Sequence, residues 1–144
     1  MNEINAFMGD YRFLSNFWLA EVEYDGLTYS CVECAYQAAK NFDRERRKMF
    51  LGLTPGQAKR EGRKTLVRPD WNEVKVLIMT ELVRKKFTSH AALKEKLLAT
   101  GDVPLIEGNR WGDCFWGICD GKGENHLGKI LMEVREELKR AQEE

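Results

Sequence analysis

Tyr29-Ser30-Cys31-Val32-Glu33-Cys34-Ala35-Tyr36-Gln37-Ala38-Ala39-Lys40 sets the reading of the whole chain. Placed on a helix, Val32, Ala35, Tyr36 and Ala39 recur at i, i+3, i+4 and i+7 and form a core stripe. Cys31, Cys34 and Ala38 occupy the opposite side and are also small and apolar. Polar residues are confined to one narrow strip, Glu33, Gln37 and Lys40. An ordinary surface helix has a wide polar face. The pattern predicts a mostly buried central helix whose polar strip faces a cleft. The alternative is a short amphipathic helix with one solvated edge.

The flanking sequence supplies the elements such a helix would pack against. Trp18, Ala20, Val22 and Tyr24 alternate with Glu21 and Glu23, Asp25-Gly26 is a two-residue turn signal, and Leu27-Thr28-Tyr29 returns as a second strand. Beyond Lys40, a basic helix is predicted over 44–51, stopped by Gly52. Thr54-Pro55-Gly56-Gln57 has the form of a capping box with proline at the first helical position, opening a helix to about Glu61. Asp70 and Glu73 bracket the start of a long helix, with Val74, Leu77, Ile78 and Leu82 inside and Arg84-Lys85-Lys86 at its C-terminal end, where cations suit the dipole. Ser89 is the expected cap of the next helix, which uses Leu93, Leu97 and Leu98 and stops at Gly101. A short strand is expected over 103–107. Leu127, Ile130, Leu131, Val134 and Leu138 mark a last amphipathic helix. The fold class is therefore α+β, predominantly helical with a few short strands, in one domain over 1–144.

Composition narrows the function. The chain has 144 residues, 43% hydrophobic and 32% charged, with net charge zero, which argues against a non-specific nucleic-acid coat. The charge is uneven: residues 1–33 carry six acidic groups against one Arg, whereas residues 40–68 carry ten Lys or Arg against three acidic groups. That block suits an anionic ligand such as phosphate, or is a solvated helix face. The apolar runs are too short for a transmembrane helix and the first residues lack signal-peptide features, so a cytoplasmic location without membrane contact is expected. Cys31-x2-Cys34 and Cys114-x4-Cys119 allow a zinc reading, but the first pair sits on the helix among small apolar neighbours, where free cysteine is common. No metal and no cofactor are expected.

A second informative stretch is the loop over 109–128, which holds Trp111, Trp116, five glycines and Asp113 and Asp120. Glycine beside tryptophan lets a flat ring lie on a ligand while the backbone comes close. Asn125 is the expected cap of the last helix and Gly128 would leave its first turn uncluttered, so free amides there could hold a phosphate or a ribose hydroxyl. The other reading is a glycine-rich turn whose tryptophans cover the core. His90 and His126 are isolated, and catalysis would fall to Glu33 and Asp113.

The segments Phe13-Leu14-Ser15-Asn16-Phe17, Tyr24-Asp25-Gly26, Val32-Glu33 with Ala35-Tyr36-Gln37-Ala38 and Lys40, Thr54-Pro55 with Ala58-Lys59 and Gly62-Arg63, and Asp70-Trp71 occur in this order. They are followed by Asp113-Cys114-Phe115-Trp116-Gly117 and Asn125-His126-Leu127-Gly128, with Leu131-Met132 and Arg135. Together they resemble the NADAR or YbiA-like family across nearly the full chain. The resemblance implies an N-glycosidase that cleaves the bond between a ribose phosphate or ADP-ribose and a nitrogenous base. The implied partner is a phosphorylated ribosyl or ADP-ribosyl substrate, free or carried on nucleic acid. Riboflavin-pathway intermediates and ADP-ribosylated guanine are the two substrate branches. By the match Glu33 is the catalytic carboxylate, and Asp113 orients water, binds ribose hydroxyls or protonates the base. The expected substrate-binding set is Asn16, Lys40, Trp71, Trp116, Asn125 and Gly128. One departure is Cys34, where the family motif has His after the glutamate; changed packing is expected there. A non-catalytic module binding ADP-ribose or a nucleotide, and a zinc-stabilised structural domain, are the competing readings.

Overall fold

A computed structural model describes residues 2–144. Six α-helices, one 3-10 helix (Gly9–Leu14) and four short strands are present among them, an α+β arrangement dominated by helix. The chain forms two units, one from the residues up to Ser15 together with His90–Glu144, the other from Asn16–Ser89.

The Asn16–Ser89 unit is built around α1, Val32–Ala39. β1 (Val22–Tyr24) and β2 (Leu27–Tyr29) form the expected antiparallel hairpin, with Val22 opposite Tyr29. Asp25 and Gly26 turn it with φ of 50° and 80°, the left-handed pair that a two-residue hairpin turn needs. α1 then packs against the hairpin, α2 (Arg44–Lys48), α3 (Pro55–Lys64) and α4 (Trp71–Ser89). All eight of its residues are buried, the polar Glu33 and Gln37 included, so the central-helix expectation holds and the strip is not a solvated edge. The box that opens α3 is complete: the Gln57 amide donates to Thr54 Oγ1 at 3.2 Å and the Thr54 amide to Gln57 Oε1 at 2.9 Å.

α4 departs from its expected register. Its buried positions are Trp71, Met79, Leu82, Val83, Lys86 and Phe87, while Leu77 is 67% exposed and Val74 and Ile78 are only half-buried. Apolar residues lie all round the first half of this helix, so periodicity does not single out one stripe there. Lys86, expected with Arg84 and Lys85 as a cation suited to the C-terminal dipole of the helix, is 1% exposed. Its Nζ lies 5.1 Å from the Phe87 ring centroid.

In the other unit, α5 (Ala91–Ala99) starts after His90 rather than Ser89, because α4 runs on through Ser89. Gly101 closes α5 with φ of 68°, as expected. The predicted 103–107 strand is replaced by a single bridge of Leu105 to Ile4, while β3 covers Gly108–Asn109 and pairs in parallel with β4, Ile118–Cys119. Pro104 has no amide to give a longer ladder and contributes only its carbonyl, to the Ile4 amide at 2.9 Å. α6, His126–Glu143, buries Leu127, Ile130, Leu131, Val134 and Leu138 as its spacing predicts.

Candidate active site

Glu33 sits in the first turn of α1, where unpaired amides and the helix dipole favour negative charge. Its own amide is one of those first-turn donors and goes to the Asn16 carbonyl at 3.1 Å. Asn16 is in turn tied to α4, its Nδ2 lying 3.4 Å from Met79 Sδ. This residue thus fixes the backbone from which the Glu33 carboxylate extends. That side chain is 8% exposed.

One turn along, Gln37 Nε2 donates to Glu33 Oε1 at 2.9 Å, and Gln37 is 5% exposed. α3 covers this part of the strip through Gly62: a Cβ at that position would lie 1.8 Å from Gln37 Oε1. Lys40 caps the C-terminal end of α1, half-buried, with Nζ 5.9 Å from the Tyr36 ring centroid. Burial holds its ammonium below the usual lysine value; Glu33 pulls the other way, and Arg63, Lys59 and Lys75 add to the lowering. Trp71 opens α4 and is buried, its ring 5.0 Å from that of Tyr36 and inclined by 52°. The geometry therefore gathers Asn16, Glu33, Lys40 and Trp71 around α1.

The basic block divides by contact. Arg47 is buried and structural, donating to the Asn41 and Phe42 carbonyls at 2.8 and 2.7 Å and pairing with Asp25. Arg68 holds both oxygens of Asp70 and lies over the Phe42 ring. Lys48 and Lys64 make surface pairs with Glu45 and Glu61. Lys59 and Arg63, which flank Gly62 on α3, act electrostatically on Lys40 beside Glu33, with Lys75 joining from α4. Lys75, Gln37 and Gly62 were not among the expected site residues, although Gln37 lay on the polar strip. Gln37 was legible as the i+4 partner of Glu33, and Lys75 as the residue one turn beyond Trp71.

Cys34 faces away from the strip. Its sulfur lies 3.4 Å from Cys31 Sγ, from Ser30 Oγ and from the Leu53 carbonyl oxygen. The Cys31 contact favours the thiolate at Cys34, lowering it to about 7, and pushes Cys31 up.

The second set lies in the other unit and is a tightly self-bonded loop. Asp113 Oδ1 accepts the amides of Phe115 and Trp116 at 3.0 and 2.9 Å, and Asn109 clasps the Asp113 backbone from both sides. The Trp116 ring meets Phe115 edge-on at 4.8 Å, and Phe115 stacks on His126 at 4.4 Å, so His126 is part of this aromatic group rather than isolated. Asn125 precedes α6 in the left-handed region (φ 52°) and makes no side-chain cap, contrary to expectation. Its amide group bridges other backbone instead, accepting from the Glu107 amide at 2.9 Å and donating to the Leu105 carbonyl at 3.0 Å. The expected free amides are occupied as well: His126 and Leu127 donate to the Phe115 and Trp116 carbonyls. Nor is the turn at Gly128 uncluttered, since a Cβ there would lie 2.2 Å from the Leu105 carbonyl oxygen. The start of α6 is a packed joint between loop and helix.

The NADAR domain model matches residues 6–139. The N-glycosidase YbiA of Escherichia coli (strain K12) is 38% identical over 133 residues, covering 90% of this chain and 82% of that protein. A riboflavin biosynthesis protein of Vibrio vulnificus is 40% identical over 133 residues, covering 90% of this chain but 36% of that longer protein. The NMR structure of E. coli YbiA superposes with a TM-score of 0.87 at 36% identity, covering 100% of this chain and 89% of that one.

Proposed function

The chain belongs to the NADAR domain family, and from that membership we infer that it is an N-glycosidase, a hydrolase acting on N-glycosyl compounds. Its substrate in this reading joins a ribose phosphate or ADP-ribose to a nitrogenous base. The carrying observation is the Glu33 carboxylate, buried on a rigid helix and hydrogen-bonded by Gln37 at 2.9 Å.

Breaking an N-glycosidic bond builds positive charge on the ribose ring. A carboxylate held beside the anomeric carbon stabilises that charge, and more so where protein has replaced water. Water then adds to the anomeric carbon as the carbon–nitrogen bond breaks, and the proton that Glu33 takes from that water is passed on through solvent to the departing nitrogen, which restores the carboxylate. The cations Lys40, Lys59, Arg63 and Lys75 suit a phosphate close to this carboxylate, and Trp71 offers an aromatic face for the base. Asp113 spends one oxygen on two loop amides, so its part is first to hold that loop.

A turnover assay with mass-spectrometric readout tests this on ribosylaminopyrimidine phosphates, ADP-ribosylated guanosine and guanine-modified DNA. Wild type should release free base from one of them, and Glu33→Gln should lose about 10²- to 10⁴-fold, the range for a positioned acid or base. Equal activity in both would transfer the chemistry to another carboxylate. Binding of ADP-ribose without turnover by either would make the protein a binding module.

A further inference from the structure

We infer that Gln37 is a positioning residue that keeps the Glu33 carboxylate aimed and charged, and that the absent side chain at Gly62 is what gives Gln37 its room. The inference rests on the reading of Glu33 as the catalytic carboxylate.

The backbone of Glu33 is held by α1 and by the Asn16 carbonyl, but three side-chain torsions still separate that backbone from the carboxylate. Gln37 Nε2 constrains them with a hydrogen bond of 2.9 Å between two buried side chains. An amide nitrogen can only donate, so it favours the ionised form of its partner. The other end of the amide shows that this orientation is chosen for Glu33: Gln37 Oε1 is buried without a hydrogen-bond partner. Turning the amide over would bring that acceptor against the carboxylate, acceptor to acceptor, so the orphan oxygen cannot be relieved by a flip. Buried polar atoms are seldom left unpaired, and this one stays so because the other end of the same amide is committed to Glu33.

Gly62 is what leaves room for this amide. Glycine inside a helix is unfavourable compared with alanine, and Gly62 is absent from the positive-φ glycines, so its backbone gives no reason for it. Its neighbour does. A Cβ at Gly62 would lie 1.8 Å from Gln37 Oε1 and 2.7 Å from Gln37 Cδ, but 3.3 Å from Gln37 Cβ. The amide end of Gln37, the part that reaches Glu33, is what an alanine would displace.

Four variants test this: Gln37→Leu, Gly62→Ala, Gln37→Ala and the double variant Gln37→Ala/Gly62→Ala, with Gln37→Met as the unbranched replacement should Gln37→Leu misfold. Base release is followed against pH. Gln37→Leu should lower kcat by about 10- to 100-fold, the worth of a hydrogen bond to a charged group, with KM changed less than about three-fold. The acid limb of its pH profile should move upward, because the ionised carboxylate has lost one of the groups that donate to it. Gly62→Ala should reproduce both effects in the wild-type background and add neither in the Gln37→Ala background, where the clashing atoms are gone. A wild-type kcat and acid limb in Gln37→Leu would overturn the inference, as would equal effects of Gly62→Ala in both backgrounds. Failure of the wild type to release base would sink the N-glycosidase reading alone. A carbon-13 titration of the Glu33 carboxyl group needs no substrate and still decides here. An upward-moved midpoint in Gln37→Leu supports the positioning role, and an unchanged one removes it.

Discussion

Lys86→Met should stabilise this protein, by an amount that depends on pH in a specified direction. Lys86 is 1% exposed in the core of the Asn16–Ser89 unit. Burial lowers its ammonium from the usual 10.5 to about 7, opposed by a small contribution from Cys31. At ~1.36 kcal/mol per pH unit this corresponds to about 5 kcal/mol of charge-burial cost. The folded value is the depressed one, so the unfolded chain binds more protons between about pH 7 and 10.5. Stability from this group therefore rises with pH across that window. Below it both states are charged and the full cost stands.

Urea unfolding of wild type and Lys86→Met from about pH 6 to 9 measures the difference directly. The variant's advantage should be largest at the acid end and shrink by about 2 kcal/mol between pH 7 and 9. Cys34, held near 7 by its contact with Cys31, makes stability rise with pH in the same direction. It is present in both proteins, so its own contribution cancels in the comparison, which reads Lys86 together with its coupling to Cys31. Methionine keeps the unbranched length and fills the same space without a charge. A difference independent of pH would refute the reasoning, since it would mean that Lys86 holds its proton throughout. So would a variant less stable than wild type at every pH.

Three further outcomes follow from particular contacts. Thr54→Ala removes the box at the start of α3 and should cost about 1 kcal/mol in chemical denaturation, while Thr54→Ser should retain most of it. Asn125→Gly keeps the left-handed backbone accessible but loses the bonds to Glu107 and Leu105, so it should still cost about 1–3 kcal/mol; recovery to wild-type stability would show that only the φ of 52° mattered. A thiol reagent should label Cys114 well before the other three cysteines, which are buried, and mass mapping of the first adduct checks it.

What the sequence revealed of this fold follows from what a pattern encodes. The Asp25-Gly26 turn, the Thr54 box and the α6 stripe depend on neighbours within one turn of chain, and all three stand as expected. Asn125 illustrates the opposite case. Its residue type and position before a helix are those of a cap, yet its partners are Glu107 and Leu105, eighteen and twenty residues away. Lys86 shows the same limit for burial. A lysine near a helix end reads as solvated, and only the packing of the whole unit removes it from water.

The polar strip of α1 gives the candidate site the same lesson with a consequence for function. Residue spacing places Glu33, Gln37 and Lys40 in a line, but a line of polar groups is equally a wet edge or a buried one. The distinction lies on another helix, where a glycine lets α3 close over Gln37 and two cations flank that glycine. Because both side chains are buried, the hydrogen bond from Gln37 to Glu33 gains weight that a solvated pair would lack. The same closure denies Lys40 part of its hydration while bringing Lys59 and Arg63 to bear on it. An anion that settles among these cations relieves a repulsion the fold has already built in. The carboxylate beside them would then act on the part of that ligand where positive charge develops. The burial of Glu33 and Gln37 thus depends on α1 and α3 together, a property that neither helix carries alone.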